Sequence, residues 1–171
     1  MWSDDADEGI FSDLSLEAND GAKFKAHKNI FAARSPVFAA MLKHDMREAQ
    51  ESIVRIEDFN GDTLRTMLEF IYTSGFKKKQ CNLIELMAAA DKYALDLLKA
   101  MCEQECLKNL NIENAASYLF SSDQHQAITL KKHSLDFIQI HHRSARNRSF
   151  SKLIRDFKRI MIDSVKLQLL A

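Results

Sequence analysis

Residues 24–38 read FKAHKNIFAARSPVF, and this stretch carries the signals that decide the fold. Its first residues continue an alternation of apolar and charged side chains that begins at Ala22, which is the pattern of a half-buried strand. Residues 28–33 predict a short helix. Ser35 then fits the N-cap of a second helix, and Pro36 fits its first position, where a missing N–H costs nothing. The stretch therefore predicts a strand that leads into two short helices.

The residues upstream of this stretch predict a partner strand. Residues 13–18 alternate, with Leu14, Leu16 and Ala18 on one face. The turn signal Asn-Asp-Gly follows at residues 19–21, and its glycine can accept a positive φ. The chain is therefore expected to open with a β-hairpin. Downstream, residues 53–56 (IVRI) predict a third strand.

Helical periodicity dominates the rest of the chain. Apolar residues recur at spacings of three and four from Asp62, and Gly75 is expected to end that helix. A longer stripe runs from Leu83 to Leu97, and Asn111 is expected to cap a later helix. The remaining segments are a polar stretch at 43–52, an extension or separate helix at 98–109, a helix around 130–138, a loop or linker at 143–149, and a basic amphipathic helix from Leu153. The predicted class is α+β, with three short strands and seven or eight helices.

Composition narrows the function classes. The chain has 171 residues, of which 46% are hydrophobic and 28% charged, with four glycines and one proline, as in an ordinary globular protein rich in helix. The formal net charge is zero, which removes the whole-protein argument for nucleic-acid binding. The acidic residues 1–10 do not resemble a signal peptide, and no stretch is apolar enough to predict a membrane span.

Catalytic and metal-binding patterns are lacking in the sequence. The four glycines are isolated, so no phosphate-binding loop is predicted. Cys102 and Cys106 share a helical spacing, but a zinc site requires about four ligands, so two buried or half-buried thiols are the better interpretation. Cys81 follows a lysine run that could lower its pKa, although an ordinary loop thiol is more plausible. We therefore predict a non-enzymatic chain without cofactor or metal.

The stretch at 24–38 resembles the signature of BTB/POZ domains, a strand followed by a tight pair of helices. Three further segments resemble that family in order and spacing: 11–14 (FSDL), 70–75 (FIYTSG) and 88–95 (AAADKYAL). Residues 98–103 and 110–116 are similar to the speckle-type POZ protein subgroup, in which these helices begin a three-box and lead into a BACK-type tail. The resemblance thus implies an acidic segment at 1–10, a BTB/POZ domain at 11–109, three-box/BACK-like helices at 110–142, and a basic linker with an amphipathic helix at 143–171.

The resemblance implies a protein-interaction function. Members of the subgroup are substrate adaptors of cullin-3 RING ubiquitin ligases in protein degradation, working in nucleus and cytoplasm. Cullin-binding members carry a hydrophobic-x-Glu motif in the loop after the second helix. Met46-Arg47-Glu48 fits that motif here, so the predicted cullin-binding residues are His44, Asp45, Met46 and Glu48. An apolar anchor would enter a pocket of the partner, while the carboxylate fixes the register.

The resemblance also implies a homodimer. Asp13, Leu14 and Ile30 match positions of the family's dimer interface. Residues 1–10 stand where the family has a leucine-bearing helix, but they are acidic and contain no leucine, so a dimer of reduced strength is expected. The 12 residues before the first predicted strand are also too few for the MATH domain that captures substrates in the subgroup, so the chain is a fragment or recruits its substrate otherwise.

Two alternatives stay open. Asp13 and Lys28 match a charged pair that lines a corepressor pocket in some BTB repressors, so a corepressor or scaffold module without cullin is the second hypothesis. The basic helix from Leu153 could close a helical bundle, bind an acidic partner or lie on a membrane. Bundle closure is the favoured interpretation, because the apolar stripe there needs a partner surface.

Overall fold

The computed structural model describes residues 11–43, 46–77, 82–143 and 155, without the side chains of residues 142 and 143. The chain divides into two compact units, Met1–Lys99 and Ala100–Ala171. The described elements are β1 (Leu14–Ala18), β2 (Lys23–Ala26), α1 (Lys28–Arg34), α2 (Pro36–Met41), α3 (Arg47–Glu51), β3 (Ile53–Ile56), α4 (Gly61–Thr73), α5 (Leu83–Lys92), α6 (Asp96–Lys108), α7 (Ala115–Gln124) and α8 (Ile128–Arg143).

The three strands of the first unit form one small sheet in the order β2-β1-β3. β1 pairs antiparallel with β2, with Leu16 opposite Phe24, and parallel with β3, with Leu16 opposite Val54. The predicted alternation is confirmed, because the apolar side chains of β1 are buried and those between them are half-buried. Gly21 has a φ of 81° in the hairpin turn, as the turn signal predicted.

The short helices after β2 begin where the sequence predicts, although α1 extends one residue further, to Arg34. Ser35 is the N-cap of α2, where its hydroxyl accepts a hydrogen bond from the Phe38 N–H at 3.1 Å, and Pro36 takes the first helical position. Buried aromatic rings then join these helices to the end of α5. Phe38 lies edge-on to Phe31 at 4.9 Å and stacks on Tyr93 at 4.5 Å. These rings form the aromatic centre of the first unit.

Three sequence expectations in the first unit need correction. The polar stretch 43–52 contains α3, a helix of five residues. The left-handed residue after α4 is Ser74, with a φ of 60°, not the predicted Gly75. The long stripe from Leu83 breaks after Lys92, because Ala94 is left-handed and the Leu95 N–H returns to the Ala90 carbonyl at 2.8 Å. Leu97 is consequently exposed, although it was counted in the apolar stripe.

The described helices of the second unit include α7 and α8, which pack against each other and are joined by a short turn in which Gln126 is left-handed. The predicted capping role of Asn111 is confirmed in the turn that leads into α7, where the Ala115 N–H also donates to the Asn111 carbonyl at 3.0 Å. The Asn111 side chain accepts from the N–H groups of Glu113 and Asn114 in that turn, and α7 begins at Ala115. Cys102 and Cys106 are buried and outside any disulfide, which confirms the preferred interpretation of that pair.

Several predictions fall on residues outside the described part of the chain. They concern the acidic segment 1–10, the lysine run with Cys81, the linker at 143–149 and the amphipathic helix from Leu153, of which only Arg155 is described. The predicted domain boundaries and bundle closure therefore stay predictions.

Candidate protein-binding groove

A groove of about 500 Å³ lies between α2 and the start of α3. Its lining is predominantly apolar and consists of Pro36, Val37, Ala40, Met41, Met46 and Glu48. The Ser35 cap and Pro36 fix the start of α2, which provides one wall. Met46 provides the other and also precedes α3 as its N-cap, with its N–H bonded to the Lys43 carbonyl at 2.9 Å. The groove therefore lies between α2 and the N-terminal end of α3, both of which belong to the first unit.

Two of the four predicted cullin-binding residues line this groove. Met46 is 47% exposed, which is high for a large apolar side chain, and Glu48 is half-buried in the first turn of α3. His44 and Asp45 lie outside the described residues. An apolar groove with a carboxylate in its wall can receive an apolar side chain of a partner and hydrogen-bond its backbone.

The α2 wall of the groove was not predicted from the sequence. Val37 and Met41 are only half-buried, and Pro36 and Ala40 are exposed. The signal was available in the spacing, since residues 36, 37, 40 and 41 lie on one side of a helix while Phe38 points to the core. A short helix with apolar residues on both sides is typical of a binding surface.

An ion network surrounds the exposed side of α3. Glu51 accepts from the guanidinium groups of Arg47 at 2.5 Å and Arg55 at 3.0 Å, and Arg55 also reaches Glu17 on β1 at 3.8 Å. Hydrogen bonding from Arg47, and then from Arg55, lowers the pKa of Glu51, while Glu51 raises the pKa of Arg47. The network is solvent-exposed, so each pair contributes little to stability, but it orients α3 relative to β1 and β3.

The predicted pair Asp13 and Lys28 serves the fold in this structure. The Asp13 carboxylate accepts from the backbone N–H of Lys28 at 2.8 Å. The Lys28 ammonium group donates to the Ala49 carbonyl at 3.0 Å and to the Ser52 hydroxyl at 2.7 Å. Both residues border a polar cavity of about 440 Å³ beside β1, which coincides with the predicted corepressor pocket.

The predicted dimer residues differ in accessibility. Leu14 is 2% exposed, so its side chain belongs to the core and is not available to a partner. Asp13 is exposed, and Ile30 is half-buried on α1. A dimer interface at these positions stays a prediction.

The described side chains show neither a metal centre nor a membrane helix. In the described ranges, no group of three or more His, Cys, Asp or Glu side chains is placed to hold a metal ion. Among the same residues, none of the helices has the length and apolarity to cross a bilayer.

The small sheet with its helices and the apolar groove indicate the class of protein to which the chain belongs, that of protein-interaction modules. A family model of the BTB/POZ domain matches residues 4–110, which is more than half of the chain. The chain belongs to the BTB/POZ domain family. Domains of this family mediate dimerisation and partner binding and are generally non-catalytic.

Proposed function

We propose that this chain is a substrate adaptor of a cullin-3 RING ubiquitin ligase, similar to the speckle-type POZ protein subgroup, and that it binds cullin-3 through the groove. The observation that supports the proposal is the position of the Met46-Arg47-Glu48 motif, because both its apolar anchor and its carboxylate line the groove. The adaptor would work in the nucleus, the cytoplasm or both.

The groove has the chemistry that such a contact requires. Burial of the exposed half of Met46 against an apolar partner contributes about 1 kcal/mol. The carboxylate of Glu48 adds directional hydrogen bonding, which selects the register of the partner. Since α2 has a capped start and α3 carries the ion network, the surface is preorganised and little ordering accompanies binding.

Calorimetry with the N-terminal region of cullin-3 tests the proposal. The Met46→Ala, Glu48→Ala double variant should bind at least about 2 kcal/mol more weakly, the scale of a hot-spot truncation. Gln50→Ala is the matched control, since Gln50 is exposed on the same helix but does not line the groove. Parental affinity in the double variant, or an equal loss in Gln50→Ala, would show that the groove is not the binding site.

We further propose that α7 and α8, within the predicted three-box/BACK-like segment 110–142, supply a second contact. Ile128 and Leu135 are exposed apolar residues that lie seven positions apart on α8 and thus on the same face. The Ile128→Asp, Leu135→Asp variant should weaken cullin-3 binding, whereas Ile140→Asp, on another side of α8, should not. Equal cullin-3 affinities for the parent chain, the double variant and Ile140→Asp would exclude this contact.

The dimer of reduced strength is part of the same proposal. Ile30 and its neighbours on α1 offer a partly apolar surface, whereas an obligate interface usually buries a total of about 2,000 Å² or more around an apolar core. We expect weak association that increases with concentration in sedimentation at micromolar protein. A tight dimer at nanomolar concentration would contradict it.

The corepressor or scaffold alternative has less support. A pocket that recruits a partner through Lys28 needs an available ammonium group, but that group bonds to Ala49 and Ser52 within the chain. The groove therefore supports the cullin-3 adaptor better.

A further inference from the structure

α3 is too short to be stable by itself. Its five residues are fewer than isolated helices need in water, and it ends at Ser52, a non-glycine residue with a φ of 54°. Two backbone hydrogen bonds hold its first turn, from the N–H groups of Ala49 and Gln50 to the Met46 carbonyl at 3.1 and 3.2 Å. Neighbouring side chains must therefore supply the rest of its stability.

Lys28 supplies a contact at the far end of this helix. Its ammonium group donates to the Ala49 carbonyl at 3.0 Å and to the Ser52 hydroxyl at 2.7 Å, in a part-buried position. A cation at the carbonyl end of a helix satisfies otherwise unpaired carbonyl groups and interacts favourably with the helix dipole. The bond to Ser52 also helps to hold that residue in its left-handed conformation.

The backbone at Lys28 is itself fixed by two sets of hydrogen bonds. Its backbone N–H donates to the Asp13 carboxylate at 2.8 Å. The preceding residue, His27, is bonded through its N–H and its ring Nδ1 to the Tyr72 hydroxyl of α4, at 3.1 and 2.8 Å. Lys28 thus reaches α3 from a rigid part of the fold. Ala49, which it contacts, lies three positions after Met46, which lines the groove.

We infer that Lys28 is a positioning residue for cullin-3 binding, which acts through α3 to hold Met46 and Glu48 at the groove. This inference rests on the proposed function. Lys28 does not line the groove, so its effect on the partner passes through the helix. The sequence alone suggested a different role for Lys28, in a corepressor pocket.

The test uses the full chain with Lys28→Met, which keeps most of the aliphatic stem and removes the donor. Lys25→Met is the matched control, because Lys25 also donates to a serine hydroxyl, that of Ser15 at 3.0 Å, but makes no hydrogen bond to the residues of α3. Binding of the cullin-3 N-terminal region should be about tenfold weaker for Lys28→Met and unchanged for Lys25→Met. Lys28→Arg keeps a charged donor and should recover part of the affinity.

Two further readouts separate positioning from a general loss of stability. In the Met46→Ala, Glu48→Ala background, Lys28→Met should cause no additional loss, because the side chains that it positions are gone. Hydrogen exchange at the Ala49 and Gln50 amides should accelerate about tenfold in Lys28→Met, without a matching change in α4. Parental affinity in Lys28→Met, an equal loss in Lys25→Met, or a full additional loss in the double-variant background would overturn the inference.

The exchange measurement also keeps the two proposals distinguishable. If the parent chain does not bind cullin-3, the proposed function fails, whereas faster exchange at Ala49 and Gln50 would still show that Lys28 holds α3. If the parent binds and exchange in Lys28→Met is unchanged, the positioning role fails and the adaptor function stands.

Discussion

The buried hydroxyl group of Ser35 donates a hydrogen bond to the backbone carbonyl of Tyr93 at 2.6 Å. The same hydroxyl accepts from the Phe38 N–H, so one side chain caps α2 and satisfies the carbonyl at the end of α5. Stacking of Phe38 on Tyr93 at 4.5 Å reinforces the contact. The helix start that forms one wall of the groove is thereby joined to the core across 58 residues of sequence.

Ser35→Ala is expected to lower the free energy of unfolding by about 2 to 4 kcal/mol. The substitution removes an N-cap, which costs about 1 kcal/mol, and leaves the buried Tyr93 carbonyl without this donor, which costs about 1 to 3 kcal/mol. Urea denaturation measures the change. Ser117→Ala, at an exposed site on α7, is the control and should stay within about 0.5 kcal/mol of the parent.

Gly61→Ala is expected to destabilise the first unit by about 1 to 3 kcal/mol, the usual cost of overpacking. A Cβ atom at Gly61 would stand 2.7 Å from the Ala22 Cβ, closer than side chains tolerate, and neither atom belongs to a flexible side chain. The Ala22→Gly, Gly61→Ala double variant removes the clash and should regain much of the loss. The melting temperatures of the parent, the single variant and the double variant test this prediction. A melting temperature of Gly61→Ala equal to that of the parent would refute the packing argument.

The sequence predicted the backbone conformation correctly where it depends on the chemistry of the residue itself. Gly21 is left-handed in the turn, and Ser35 with Pro36 starts α2, both as the sequence predicts. Where tertiary contacts decide, prediction failed. Ser74 rather than Gly75 is left-handed, because the Arg34 guanidinium bonds the Ser74 hydroxyl at 2.5 Å and the Ile71 carbonyl at 3.0 Å.

At the candidate site too, local motifs were predictable from the sequence and features that depend on tertiary contacts were not. Met46 and Glu48 were predicted from a motif, and the structure places them together at the groove. α3 could not be predicted from periodicity, since it is held by Lys28 and oriented by the Arg47, Glu51 and Arg55 network, contacts that depend on the folded chain. The left-handed Ala94, which ends the stripe of α5 early, carries no glycine signal at all.

Asp20→Asn is expected to change the acid dependence of stability. Hydrogen bonds from the N–H groups of Gly61, at 2.9 Å, and Ala22, at 3.1 Å, hold the pKa of Asp20 below its ordinary value of 3.8. A carboxyl group whose pKa is lowered by folding stabilises the native state above its unfolded pKa, and this contribution is lost as the pH falls through the folded pKa. The parent should therefore exceed the variant in stability at pH 7, and the difference should shrink below about pH 4.

Urea titrations at a series of pH values measure this difference. Asp136→Asn, at an exposed position of α8, is the control for the loss of one carboxylate. A difference between the parent and Asp20→Asn that stays constant from pH 7 down to about pH 2 would show that the Asp20 charge is not what ties the hairpin turn to α4.

Tyr93→Phe is expected to change stability at the alkaline end. Burial, followed by the negative charge of Asp58, raises the pKa of Tyr93 to about 12. A group whose pKa is raised by folding contributes stability that is complete below its unfolded pKa of about 10 and disappears as the pH rises through the folded value. Phenylalanine retains the ring that stacks on Phe38 but cannot ionise. The parent should therefore lose unfolding free energy more steeply than Tyr93→Phe between about pH 10 and 12, as measured by denaturant unfolding at each pH. Parallel pH profiles for the two proteins would mean that Tyr93 ionises as readily in the folded chain as in the unfolded one, and that its hydroxyl is not shielded by the aromatic centre.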